Sequence, residues 1–334
     1  MYTMKTLGRV LLMIASFIFM SLVYSSAQVN IIFDTDFGGD VDDLGAMAML
    51  HHLVDKNECK LLGVMCWSTE QYAVSAIDAV NRFYKHPDIP IGVRKGDSHH
   101  VDWCYSKPIC DRFDFQHNRE TVEEATRLYR RILTKADNKS VSIVTVGPLK
   151  NIENLINSKK DDISELSGVA LIQEKVKEFV IMGGQYPEGP NEWNFNGDMK
   201  GVTKNVIEEL KVPIVFLGYE LGQVIKTGLV LKEQDPNTPL YTGWLHFSKY
   251  APWMEDFRTG DIIDNATYDQ TAVLYAVRGG IGQYWEPIKG KCLPDEKGGN
   301  TWQTDANANH VYLKLLTEPE ELAHLIEKMM LGTF

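Results

Sequence analysis

Val29-Asn30-Ile31-Ile32-Phe33-Asp34-Thr35-Asp36-Phe37-Gly38-Gly39-Asp40-Val41-Asp42-Asp43 is the stretch on which the reading of this chain turns. The run Val29–Phe33 predicts a buried strand, and Leu44–Leu53, with helical period, the helix that follows it. Between them lie five carboxylates within ten residues, Asp34, Asp36, Asp40, Asp42 and Asp43. Unpaired, they would repel one another strongly. A hard cation relieves that repulsion, since Ca²⁺ accepts six to eight oxygens from carboxylates, carbonyls and water. Gly38 and Gly39 let the chain fold tightly enough for the carboxylates to converge. A helix cap needs one Asp, not five.

The same alternation continues outward. Lys60–Met65, Ile89–Val93, Val141–Val146, Glu178–Met182 and Pro213–Leu217 read as strands. Ala73–Tyr84, Thr121–Lys135, Leu149–Asn157 and Lys200–Leu210 read as the helices between them. Continuous apolar strands, each followed by a helix, predict one α/β domain with a mostly parallel, Rossmann-like sheet covered by helices on both faces. A Trp-, His- and Asp-rich loop spans about Gly96–Asn118. After Tyr219 the pattern loosens, with helices at Leu240–Lys249, Asp269–Arg278 and Pro319–Met330. Tyr284–Leu316 is Gly-rich and reads as hairpin-containing, with Asp295–Asn309 as a solvated tip.

With 334 residues, 44% hydrophobic and 24% charged, the chain can bury a sizeable core. Its 34 basic and 45 acidic residues give a net charge of −11 and no Lys/Arg stripe, which disfavours nucleic-acid polymers and suits a small molecule or a cation. Residues 1–27 read as a cleaved signal peptide: Lys5 and Arg9, an apolar run Val10–Val23, then Ser25, Ser26 and Ala27. That run is short for a membrane span. The expectation is an exported protein, periplasmic or secreted, whose mature domain is 28–334 and touches no membrane after cleavage. Five Cys are too few for a disulfide framework. Cys59 and Cys66 read as small buried hydrophobes, Cys104 and Cys110 share a loop that would let them pair, and Cys292 is left over. A homo-oligomer is compatible with the sequence but not specified by it.

An EF-hand fails here, because Gly38 and Gly45 stand where its fifth and twelfth positions need ligands. A phosphohydrolase of the haloacid dehalogenase type, with Asp34 as nucleophile and Mg²⁺ as cofactor, fits Asp34 and Asp36 but meets Gly38 where Thr or Val belongs. The run Asp34–Asp43 more closely resembles the amino-terminal signature Asp-Thr-Asp-Pro-Gly-x-Asp-Asp of the inosine-uridine-preferring nucleoside hydrolases. Later segments support the resemblance in the right order: Thr145-Val146-Gly147-Pro148-Leu149-Lys150-Asn151, then Met182-Gly183-Gly184 with Glu192-Trp193-Asn194, then Tyr268-Asp269 opening a helix. It covers about Val29–Arg278.

The resemblance implies calcium-dependent hydrolysis of the N-glycosidic bond of a ribonucleoside or related ribosyl compound. By it, Asp36, Asp43, the carbonyl of Val146 and Asp269 ligate one Ca²⁺, and Asp36 is also the general base for the metal-bound water. Asp42, Glu192 and Asn194 hold the ribose hydroxyls, with Met182 and Trp193 in the same segment. Two extra residues in the opening loop leave Asp40 able to replace Asp42 or Asp43. Phe37 replaces the usual Pro, and Ser68-Thr69 stands where the family often has Gly-Asn. Tyr268 occupies the site of a His that protonates the leaving base in some members. These departures fall on the leaving-group side and leave open a ribose- or nucleoside-binding protein with little catalysis. Trp67, Trp103, Trp193, Trp253 and Phe257 are candidates to stack on a flat leaving group, while His99 and His100 carry no assignment.

Overall fold

The computed structural model describes residues 28–197 and 199–334, so the leader expected at 1–27 lies outside the described residues. In chain order the strands are β1 (Val29–Thr35), β2 (Cys59–Cys66), β3 (Ile91–Val93), β4 (Glu123–Glu124), β5 (Val141–Thr145), β6 (Val176–Met182), β7 (Glu188–Gly189), β8 (Ile214–Leu217), β9 (Lys226–Thr227), β10 (Asn265–Ala266), β11 (Trp285–Pro294), β12 (Asn300–Thr304) and β13 (His310–Leu315). The helices are α1 (Asp42–Asp55), α2 (Ala73–Phe83), α3 (Ser106–Cys110), α4 (Ala125–Lys135), α5 (Lys150–Asn157), α6 (Gly168–Lys175), α7 (Trp193–Asn196), α8 (Val202–Glu209), α9 (Tyr219–Val224), α10 (Pro239–Tyr250), α11 (Asp269–Arg278) and α12 (Pro319–Met330).

Eleven strands form one sheet in the order β4-β3-β2-β1-β5-β6-β8-β13-β11-β12-β7. Pairing is parallel from β4 to β13 and antiparallel through β11, β12 and β7. Side chains alternate across it. Ile31, Phe33, Val144 and Val180 pack with α1, α2, α11 and α12 on one face. Ile32, Ile143, Phe179 and Ile181 pack with α4, α5, α6 and α8 on the other. That two-sided burial is why these strands read as nearly unbroken apolar runs.

The sequence expectation of a single mostly parallel α/β domain holds, with local differences. The helix expected from Thr121 starts at Ala125, because Glu123 and Glu124 pair with β3 instead. The loop at Gly96–Asn118 contains α3, and α6 was not expected. Asp295–Asn309 is more than a solvated tip: it includes β12, where buried Asn300 donates through Nδ2 to the Gln185 carbonyl at 2.8 Å. All five cysteines are free, so Cys104 and Cys110 do not pair. Among the described residues no helix is long and apolar enough to cross a membrane.

Candidate active site

The chemistry-bearing residues gather where the parallel strands end, as expected for an open α/β sheet. The ladder itself delivers them. The Val146 amide donates to the Asp34 carbonyl at 2.8 Å, the Trp67 amide to Thr35 at 2.8 Å and the Gly183 amide to Leu217 at 3.1 Å. Past β1 the chain turns through Gly38, whose φ of 122° an L side chain rarely adopts. Gly147 is glycine for a different reason: a Cβ there would lie 2.8 Å from the Asp36 backbone nitrogen. Helices α1 and α11 then begin side by side, with Asp42 and Asp43 in the first turn of one and Asp269 in the first turn of the other. Both dipoles favour negative charge at that point.

Carboxylate oxygens of Asp42, Asp43 and Asp269 come within 4.8 Å of one another, and all three residues are buried. Asp42 binds inward through Oδ2, which accepts from the Asp269 amide at 3.4 Å, and Asp43 accepts from the Thr35 hydroxyl. Asp36 lies in the same cavity but turns Oδ2 to the Trp193 indole N–H at 2.9 Å. Asp40 accepts from the Asn265 amide at 2.5 Å. Burial, reinforced by the neighbouring carboxylates, holds Asp42, Asp43 and Asp269 well above the usual carboxylate range. Burial pushes Asp36 up to about 6, against the Trp193 hydrogen bond that pulls it down. An all-oxygen donor set whose charges lack a cationic partner in the cluster fits a hard cation.

The sugar-side residues are also brought together. Buried Glu192 accepts from the amides of Gly184 (2.8 Å), Asn194 (3.0 Å) and Phe195 (3.2 Å), which caps α7 and fixes its carboxyl. Burial still pushes it up to about 7. The Asn194 side chain donates to the carbonyls of Val146 at 3.0 Å and Met182 at 3.1 Å, tying the ends of β5 and β6. Tyr268 stacks on Tyr219, ring centroids 5.4 Å apart. Burial and that neighbour push its hydroxyl further up, making it a weaker acid than a free phenol.

One cavity of about 920 Å³ collects these groups. Every expected site residue lines it: Asp36, Asp40, Asp42, Asp43, Val146, Met182, Glu192, Trp193, Asn194, Tyr268 and Asp269. Trp67, Ser68, Thr69, Trp103, Trp253 and His99 line it too, whereas Phe257 is exposed and does not. Asp34 points elsewhere. It sits on the opposite face of β1 from the cavity helices, with Tyr129 (2.7 Å) and Asn151 (3.1 Å) on its two oxygens, and burial pushes it up to about 7. The phosphohydrolase reading thereby loses its nucleophile. The sequence reading passed over Glu70, Gln185, Asn191 and Tyr219, all of which line the cavity. Tyr219 follows β8 closely, so its place at a strand end was the signal available.

The family model described as inosine-uridine preferring nucleoside hydrolase matches residues 31–315. Among solved structures the chain is similar to a plant nucleoside hydrolase at 16% identity and TM-score 0.66, covering 90% of this chain and 98% of that one. It is also similar to an inosine-guanosine nucleoside hydrolase at 14% identity and TM-score 0.61, with coverage of 92% and 98%. A third is the type III effector protein XopQ complexed with adenosine diphosphate ribose, at 13% identity and TM-score 0.63, with coverage of 92% and 94%. No curated protein matches the chain. The chain belongs to the inosine-uridine preferring nucleoside hydrolase family.

Proposed function

We propose that this enzyme hydrolyses the N-glycosidic bond of a ribonucleoside or related ribosyl compound with Ca²⁺ held by Asp36, Asp43, Asp269 and the Val146 carbonyl, and with Asp42 beside them. The observation that carries this is the meeting of Asp42, Asp43 and Asp269 in the cavity that Asp36 also lines. When bound, the ion holds the sugar diol and lowers the pKa of the attacking water. Asp36 takes the water's proton, as a carboxylate kept ionised by the cation it helps to hold. Asp40 or Asp42, together with Glu192 and Asn194, grips the ribose hydroxyls. The surrounding carboxylates stabilise the positive charge that develops on the sugar as the bond breaks. Tyr268, held against Tyr219, gives the leaving group a hydrogen bond rather than a full proton. Residues 1–27 act as an export signal that is cleaved, so the enzyme works outside the cytosol.

The test uses 4-nitrophenyl riboside, whose leaving group departs without protonation, beside its 2′- and 3′-deoxy analogues. Cleavage of the riboside is expected, with sharply weaker binding of either deoxy analogue, because each lost hydroxyl leaves buried polar groups without a partner. Asp36→Asn should lower kcat by about 10²–10⁴ with an unchanged circular dichroism spectrum. An uncleaved riboside, or deoxy analogues bound equally well, overturns the reading.

A further inference from the structure

The sugar-side residues ride on a segment with little regular structure of its own. Between β6 and α7 the chain forms only the two-residue β7, yet Gln185, Asn191, Glu192, Trp193 and Asn194 all line the cavity. The hairpin of β11 and β12, rooted in the sheet through β13, holds that segment from behind. Buried Asn300 opens β12 and takes both backbone polar atoms of Gln185. Its Oδ1 accepts from the Gln185 amide at 3.0 Å, and its Nδ2 donates to the Gln185 carbonyl at 2.8 Å. Two bonds from one planar carboxamide fix orientation as well as distance. The adjacent residue, Gly184, donates its amide to Glu192 at 2.8 Å, so the clamp lies one residue from the group that secures that carboxylate.

The turn of the hairpin reaches further along the same segment. A Cβ at Gly299 would lie 2.8 Å from the Pro190 carbonyl oxygen. At Gly298, where φ is 90°, it would lie 2.7 Å from both the nitrogen and the Cα of Asn196. Glycine is what lets this turn rest directly on the backbone before and after Glu192. The turn also holds its own shape, since Asp295 Oδ1 accepts from the amides of Lys297 at 2.6 Å and Gly299 at 3.1 Å. Asn300 itself stands outside the cavity lining and can act on the site only through the residues it holds.

We propose that Asn300 is a positioning residue for the sugar grip. Through Gln185 and Gly184 it sets where Glu192 and Asn194 meet the ribose hydroxyls, and the turn at 296–299 backs α7 in that place. This rests on the ribohydrolase reading above and adds the element that holds its sugar side in register. A misplacement of about 1 Å in groups that orient a substrate costs up to about 10²-fold in rate.

Two variants of the full chain test this with calcium present. Asn300→Ala removes the clamp, and Gly298→Ala wedges the turn away from α7. Each should raise KM for 4-nitrophenyl riboside roughly tenfold with a smaller change in kcat, and should shrink the preference in binding for the riboside over its 2′- and 3′-deoxy analogues. A merely structural role would lower the folded fraction, which lowers apparent kcat and leaves KM and that preference where they were. Hydrogen–deuterium exchange gives an answer independent of turnover: in Asn300→Ala the stretch 183–196 should exchange roughly tenfold faster while α1 and α11 keep their rates. Unchanged KM and preference in both variants, or unchanged exchange at 183–196, overturns the inference, while cleavage of the riboside by the unsubstituted enzyme leaves the hydrolase reading standing. If the unsubstituted enzyme does not cleave the riboside, the hydrolase reading falls, and the exchange comparison still decides whether Asn300 holds this segment.

Discussion

Removing calcium should make this protein lose stability as pH rises, and the loss should disappear when calcium is restored. Burial holds Asp36 at about 6 against an ordinary 3.8, and Asp42, Asp43 and Asp269 are raised as well. A carboxyl whose folded pKa lies above its unfolded value binds its proton more tightly when folded. Its contribution is therefore present at low pH and lost as pH rises through the folded pKa. For Asp36 alone the loss between pH 5 and pH 8 comes to about 1.4 kcal/mol. The other three act in the same direction. One kcal/mol moves the Tm of a domain of this size by about 1.5 °C. In chelator, then, the cluster's share of Tm should fall by at least ~2 °C from pH 5 to pH 8. Calcium at 100 times its Kd adds about 2.7 kcal/mol wherever the carboxylates are ionised, so it should flatten the slope. Differential scanning calorimetry in buffers of matched ionic strength reads both curves. Asp36→Asn in chelator should remove its share of the slope. Buried His51 and His310, held below the usual imidazole range, act in the opposite direction, so the refuting result is an Asp36→Asn variant in chelator whose slope matches that of the unsubstituted enzyme.

Two other outcomes follow from particular residues. Gln270 is fully buried where α11 meets α1, and its side-chain nitrogen and oxygen have no partner among the described residues; since an unpaired buried amide costs about 1–3 kcal/mol, Gln270→Met should raise Tm by a few degrees, and a fall would show that the amide is satisfied. Intact-mass measurement on protein from its native cell should give a chain beginning close to Gln28, and a full-length mass in the cytosol would contradict export.

Elements whose burial is two-sided were legible from sequence. β1, β5, β6 and β8 are apolar runs because helices cover both faces of the sheet, and α11 and α12 carry clear helical period. The partners of β13 were not legible. His310–Leu315 reads as a hairpin strand, and only the fold shows it lying parallel to β8 and extending the sheet. At the site, the expected residues share one cavity, but not in the grouping expected. Asp42 closes with Asp43 and Asp269 while Asp36 turns toward Trp193, because a loop lengthened by two residues follows no period that would fix its side-chain directions. Glu70 belongs to no motif, and only the cavity reveals it.

Asp269 reaches the site from the last fifth of the chain and meets Asp42 across 227 positions. An ion gripped by these residues therefore acts as a clasp between the first turn of the protein and one of its last helices. Energy gained on binding it would be spent on closing that very long loop, so the cluster forms only after α11 has docked. A chain that stops just before α11 keeps Asp36, Asp40, Asp42 and Asp43 but lacks Asp269, and has no clasp. An ion bound there would report that the chain has folded through to α11.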